Sequence, residues 1–313
     1  LAERTPVAVF ISGSGTNMAA LLYASRAGDC PYEIVLVLSN NPDATGLALA
    51  AAEGVATFCL PHKGFARAEH DALMEAEVLA SGAQVIVLAG YMRILSPEFV
   101  GRWDGRMLNI HPSLLPKYKG LHTHDRAIEA GDSHGGCTVH LVTAELDDGP
   151  VLGQTPVAIV AGDTADTLAA RVLIAEHQLY SRVLASFVAR GNDPVWLLDK
   201  CRTLTAALPE VEERESHGAP GWRVGGKYFA YFNDQHHCTE HIAVLVKTSG
   251  PDELAALVEQ DPETWFRPAY YGASGWAGLI LNRPNVDWDH VADWLRRSWT
   301  TAAPRRLAAM MEF

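Results

Sequence analysis

Asn109 and His111 stand two residues apart in the run Met107-Leu108-Asn109-Ile110-His111-Pro112-Ser113-Leu114-Leu115-Pro116. The first five of these predict a short strand, on which alternate side chains share a face. A carboxamide and an imidazole therefore project together, with Leu108 and Ile110 turned to the opposite side. Pro112 keeps His111 extended, and Pro116 stiffens the loop beyond it. Two hydrogen-bond donors fixed side by side on a rigid element can stabilise an oxyanion or carry a proton. A plain strand end with a surface histidine has the same pattern, so the choice rests on the remainder of the chain.

Three other stretches carry chemistry. Ser12-Gly13-Ser14-Gly15-Thr16-Asn17 follows the apolar run 7–11 and precedes a helical pattern from Met18. Strand, glycine turn and helix together present backbone N–H groups to a phosphate. A dinucleotide loop wants a third glycine where Met18 stands and an acid at the tip of the second strand, which ends instead in Ser39-Asn40-Asn41. A phosphate monoester on a small substrate fits better. Gly90-Tyr91-Met92-Arg93-Ile94-Leu95 leaves the C-terminal end of the apolar strand 85–89, where open α/β sheets bind ligands. Arg93 there meets either a carboxylate or a rim salt-bridge partner. Glu145-Leu146-Asp147-Asp148-Gly149-Pro150 is a tight acidic turn. His122 with His124, and His236-His237-Cys238 with His241, have metal-ligating atoms but incomplete sets, and no metal is expected.

The elements that must position these residues alternate between short apolar strands and helical patterns. Strands are expected at 7–11, 34–38, 56–60, 85–89, 107–110, 138–142 and 157–160. Helices are expected from Met18, over 46–53, over 65–81, up to Ala130, and after Gly162-Asp163-Thr164, where Leu168, Val172, Ala175, Leu179 and Val183 mark a buried face. That alternation is the signature of an α/β fold. At 313 residues two domains are the better expectation, with a break at Gly191-Asn192-Asp193-Pro194. Seven of the eight tryptophans follow that break. Beyond it, strands 222–224 and 227–232 flank Gly225-Gly226, a hairpin signal. Two further strands, a helix over 251–260 and a stripe of Val291, Trp294, Leu295 and Trp299 complete the pattern. The net charge of −12 argues against a nucleic-acid or anionic-membrane partner. Five scattered cysteines without a paired spacing point to a reducing cytoplasm.

Residues 1–192 resemble the folate-dependent glycinamide ribonucleotide formyltransferases of purine biosynthesis. Ile11-Ser12-Gly13-Ser14-Gly15-Thr16-Asn17, Leu88-Ala89-Gly90-Tyr91-Met92-Arg93-Ile94-Leu95-Ser96, the Asn109–Pro116 run and Glu145-Leu146-Asp147-Asp148-Gly149-Pro150 carry the resemblance, in order along the domain. It implies a Rossmann-like α/β domain with a mostly parallel sheet and transfer of the formyl group of 10-formyltetrahydrofolate to the ribonucleotide amine. Asn109, His111 and Asp147 would be catalytic. Asn109 would donate to the formyl oxygen, and His111 would stabilise that oxygen or protonate the departing folate nitrogen. Asp147 beside the imidazole would favour its charged form. Asp147 is chosen over Asp148 by the family motif alone. Gly15, Thr16 and Asn17 would hold the phosphate and Glu176 the ribose hydroxyls. Arg67, Met92, Arg93, Ile94, Leu95 and Asn109 would line the folate site. Leu173 departs from the family, which would place a glutamine near the phosphate.

Residues 193–313 resemble the MmcQ/YjbR family of small α+β domains, with a YjbR/CyaY-like fold implied. Leu208-Pro209-Glu210-Val211, Arg223-Val224-Gly225-Gly226-Lys227, Gly275-Trp276, Val286-Asp287-Trp288 and Ala303-Pro304-Arg305-Arg306-Leu307 carry it. From Pro194 onward 12 Lys and Arg stand against 16 Asp and Glu, a net of −4, so no broad basic face is expected. Two alternatives follow: hydrolysis of formyltetrahydrofolate by water in place of the amine, and a nucleic-acid-binding or regulatory role for the second domain.

Overall fold

Residues 7–11 are completely buried, because their strand is covered on both faces and flanked on both edges. The computed structural model describes residues 4–216, 218–234, 241–269, 271–283 and 286–309. The His236-His237-Cys238 run lies outside the described residues. The chain divides into two compact units, Leu1–Val188 and Ala189–Phe313.

The first unit runs β1 (Thr5–Ile11), α1 (Thr16–Ser25), β2 (Tyr32–Ser39), α2 (Thr45–Ala52), β3 (Ala56–Cys59), α3 (Arg67–Ala80), β4 (Val85–Leu88), α4 (Pro97–Arg102), β5 (Met107–His111), α5 (Thr123–Glu129), β6 (His134–Leu141), β7 (Val151–Ala158) and α6 (Ala165–Ala189). Among the described residues its sheet has the order β3-β2-β1-β4-β5-β6-β7. It is parallel through β5 and antiparallel from β5 to β7. The order reverses between β1 and β4, and their C-terminal loops open a crevice of the kind that binds ligands in such sheets. The loops carrying residues 12–17 and 90–95 leave those two strands.

One apolar core lies on each side of the sheet. Val7, Val9 and Ile11 pack with Leu168, Val172 and Leu179 of α6 in one, while Ala8 and Phe10 pack with Met74, Phe99 and Trp103 in the other. The period-two alternation of β1 thus feeds both cores. Tyr180 of α6 is fully buried, and its hydroxyl is 3.0 Å from the Leu88 carbonyl and 3.1 Å from the Leu108 carbonyl. It ties the long helix to two strands that carry site loops.

The strand expected over 157–160 is the end of a longer one, β7, which begins at Val151. Its alternating half-exposed pattern suits an edge strand.

The second unit runs α7 (Pro194–Ala206), β8 (Glu212–Ser216), β9 (Ala219–Val224), β10 (Lys227–Asp234), β11 (Ile242–Lys247), α8 (Pro251–Gln260), β12 (Trp265–Phe266), β13 (Trp276–Ile280), α9 (Trp288–Ala302) and α10 (Arg305–Ala308). Among the described residues its antiparallel sheet has the order β12-β13-β11-β10-β9-β8. Gly225 and Gly226 both have positive φ, 56° and 80°, as a two-residue turn between twisted strands requires. Trp222, Phe229, Trp294, Leu295 and Trp299 fill the core. The tryptophan stripe on α9 is packing.

Candidate active site

Asn109 and His111 end β5, and antiparallel pairing with β6 sets His140 opposite Asn109 and Thr138 opposite His111. Asp147 arrives from the turn beyond β6. Its Oδ2 lies 3.4 Å from His111 Nδ1 and its Oδ1 3.7 Å from His140 Nε2. His111 Nε2 is 2.9 Å from the Tyr118 carbonyl, an acceptor, so that nitrogen donates. With the Asp147 carboxylate near the other nitrogen, the ring has an oxygen on each side. His111 and Asp147 are both nearly buried, at 5% and 8% exposed. In such surroundings their attraction is little screened. Asp148, left open by spacing, is half exposed and pairs with Lys119.

Local backbone explains why Asp147 turns inward. Its φ is 50°, in the left-handed region, where an Asp is among the better tolerated side chains. The Gly120 N–H donates to its Oδ2 at 2.9 Å. At Gly149 a β-carbon would fall 1.8 Å from the Leu141 carbonyl oxygen, backbone against backbone. The acidic turn is therefore seated flush on the end of β6. Gly149→Ala should lift the turn and carry Asp147 off His111, lowering kcat by about a hundredfold, near the loss of one preorganised charged group. Steady-state rates checked beside near-ultraviolet circular dichroism measure this, and wild-type kcat in a folded variant would contradict it.

His140, which the sequence pattern does not single out, completes the cluster. Its Nδ1 donates to the Leu141 carbonyl at 2.8 Å, which leaves Nε2 to accept from Asn109 Nδ2 at 3.2 Å. The neutral ring thus orients the carboxamide. Burial, the largest cause, lowers the His140 pKa, with His111 adding to the effect against the Leu141 bond and Asp147. A folded-state value below the unfolded one means the unfolded chain takes up the proton first. This contribution to stability is present above the unfolded value of ~6.5 and is lost as pH falls. His140→Leu should therefore show a shallower fall of Tm between about pH 7.5 and 5.5 than the parent, with kcat down about tenfold. Parallel melting curves across that range test it, and equal slopes would contradict it.

Gly15 caps α1 with φ 70°, and no side chain caps the helix, which leaves its first amides facing the crevice. A β-carbon on Gly15 would stand 3.0 Å from the Gly46 Cα, so the loop is packed against α2 as well as turned by it. Asn17 is buried, its Nδ2 donates to Glu176 Oε2 at 2.8 Å, and its Oδ1 has no hydrogen-bond partner. That leaves a fixed acceptor suited to a hydroxyl or amine donor. Burial pushes the Glu176 carboxyl up, against the opposing donation from Asn17. Thr16 is exposed and Leu173 half-buried.

On the other side of the crevice Met92 and Ile94 are exposed, at 73% and 59%, whereas Leu95 is buried in the core with Phe99. Met92 N donates to Ser12 Oγ at 2.8 Å, joining this segment to the glycine loop. Arg93 is largely buried, its Nε 4.0 Å from Asp71 Oδ1. Arg67 opens α3 and is exposed. The structure brings Asn109, His111 and Asp147 into one cluster and Asn17 with Glu176 into another, each placed by a different strand end or helix. Among the described residues no group of three or more His, Cys, Asp or Glu side chains is arranged to hold a metal ion. In the second unit Arg223 and Arg306 pair with Glu212 and Glu210.

The Formyl transferase family model matches residues 5–184 and the YjbR model residues 206–301. The chain is 46% identical over 182 residues to the phosphoribosylglycinamide formyltransferase of Escherichia coli K12, covering 58% of this chain and 86% of that protein. A crystal structure of phosphoribosylglycinamide formyltransferase from Brucella melitensis is 52% identical with a TM-score of 0.58, over 60% of this chain and 97% of that one. A crystal structure of formyltetrahydrofolate deformylase from Burkholderia mallei is 31% identical with a TM-score of 0.56, over 60% of this chain and 66% of that one.

Proposed function

The chain belongs to the formyl transferase family, and from that premise we propose that it moves the formyl group of 10-formyltetrahydrofolate to the amine of 5'-phosphoribosylglycinamide, a step of de novo purine (IMP) biosynthesis. Residues 1–192 form the catalytic domain and residues 193–313 an appended YjbR-like domain. The observation that carries this reading is the convergence of Asn109, His111 and Asp147 at 3.4 Å between imidazole and carboxylate.

The amine nitrogen attacks the formyl carbon, and the carbonyl electron pair moves to oxygen. Asn109 Nδ2–H donates to that oxygen as it becomes negative, and His111 Nε2–H joins it by exchanging the Tyr118 carbonyl for the oxyanion. The intermediate collapses when the bond from the formyl carbon to the folate nitrogen breaks. The amine gives up a proton and the folate nitrogen receives one, a transfer assigned to His111. Asp147 holds the His111 ring and balances its charge.

Gly15, Thr16 and Asn17 receive the substrate phosphate, Glu176 the ribose hydroxyls, and Arg67, Met92, Arg93 and Ile94 line the folate side, with Leu95 anchoring that segment in the core. The five scattered cysteines favour a reducing compartment, and we assign the enzyme to the cytoplasm.

Hydrolysis of formyltetrahydrofolate is the second reading, since one solved relative is named a deformylase. The buried Asn17–Glu176 pair beside the glycine loop favours a phosphorylated sugar as acceptor. Tetrahydrofolate release, followed with and without phosphoribosylglycinamide, separates the two. Release that requires the ribonucleotide and matches formylated product supports the proposal, and equal formate release without it overturns the proposal.

A further inference from the structure

Asp71, on the second turn of α3, is a carboxylate at 1% exposure with no role in the steps above. Its Oδ2 accepts from the Ser96 N–H at 2.6 Å. Its Oδ1 has no hydrogen-bond partner and lies 4.0 Å from Arg93 Nε and 3.7 Å from His70 Nδ1. Those two nitrogens and the Tyr91 hydroxyl are also buried without a partner. A buried charge so incompletely bonded destabilises a fold relative to apolar packing, so capping α4 is a poor reason to keep it.

The geometry of the segment it touches gives a better one. Residues 92–95 are held at one end by Ser12 Oγ on the Met92 N–H and at the other by Asp71 on the Ser96 N–H. Between these two bonds, Met92 and Ile94 project into solvent while Leu95 anchors in the core. Large apolar side chains held outward on a doubly fixed segment form a ligand-facing lip. The Nε edge of Arg93 is turned toward Asp71, which keeps its terminal nitrogens for an anionic group of the ligand.

We infer that Asp71 is a positioning residue for formylfolate binding, setting the place of the 92–95 segment through Arg93 and the Ser96 amide. This rests on the reading that residues 92–95 face the folate. In Asp71→Asn the side-chain oxygen still accepts from Ser96, but the charge facing Arg93 is gone and an N–H replaces it.

The test is steady-state kinetics of the full chain with both substrates varied. Asp71→Asn is expected to raise the KM for 10-formyltetrahydrofolate about tenfold, with kcat and the ribonucleotide KM within about twofold. In an Arg93→Met background the same change should alter the folate KM by less than about twofold, because the two residues act as one unit. A purely structural Asp71 would lower Tm and leave the folate KM in place, which overturns the inference. Should Asp71→Asn not fold, Asp71→Glu decides in its place: a raised folate KM that disappears in the Arg93→Met background supports the inference, and an unchanged one overturns it. The pair Met92→Ala with Ile94→Ala separates the two layers. A folate KM moved by that pair but not by Asp71→Asn removes only the role of Asp71. A folate KM moved by neither removes the folate reading of the segment, and the inference with it.

Discussion

His111→Ala should lower kcat/KM for formyl transfer by about a thousandfold, with the chain still folded. The ring sits at the end of β5 with Asp147 on one nitrogen and the Tyr118 carbonyl on the other. Alanine removes both the proposed donor to the developing oxyanion and the proposed proton source for the departing nitrogen in one change. It also leaves Asp147 buried with a partner missing, so some loss of Tm accompanies the loss of rate. The KM for the ribonucleotide should hardly move, because its proposed contacts, Asn17 and Glu176, bond to each other and not to His111. Initial rates at saturating and limiting concentrations of each substrate check this. A variant within tenfold of the parent would remove His111 from the chemistry.

Asp147→Asn should cost about a hundredfold in kcat with smaller effects on either KM. The asparagine oxygen can still accept from the Gly120 N–H, so the turn and the 112–122 loop keep their anchor. The change removes the charge that faces both His111 and His140. An effect on kcat without a comparable change in Tm distinguishes lost electrostatics from lost structure. Asp148→Asn serves as the control: that side chain is exposed and pairs with Lys119, and surface pairs of this kind contribute little. Parent-like rates in Asp147→Asn together with slow rates in Asp148→Asn would reverse the assignment.

What could be read from the chain and what could not divide along physical lines. Strand alternation alone puts Asn109 and His111 on one face, since a period of two needs no tertiary information. The glycine turn before α1 is likewise local, and so is the Gly225-Gly226 hairpin. Asp147 against Asp148 is not local. The two share a tight turn, and only the left-handed backbone at Asp147 with the seat of Gly149 on Leu141 decides which turns inward. His140 has no distinguishing pattern in its own strand. Its role comes from the β5–β6 register that sets it opposite Asn109, a pairing between segments about thirty residues apart. Asp71 reads as one more charge on an amphipathic helix until α4 packs over it. In the second unit β8, with the sequence Glu-Glu-Arg-Glu-Ser, has no apolar alternation because it is an edge strand open to solvent. Its acids then take up Arg223 and Arg202, which charge counting could not foresee.

In the proposed reaction a migrating formyl oxygen becomes negative between Asn109, His111 and the charge of Asp147. A crystal structure with phosphoribosylglycinamide and a folate analogue bearing a tetrahedral hydrated carbonyl at the formyl position measures this directly. One oxygen of that centre is expected within about 3 Å of both Asn109 Nδ2 and His111 Nε2, with Asp147 still on the ring. A centre whose oxygens meet neither side chain, with the ribonucleotide amine in line for attack, would contradict it.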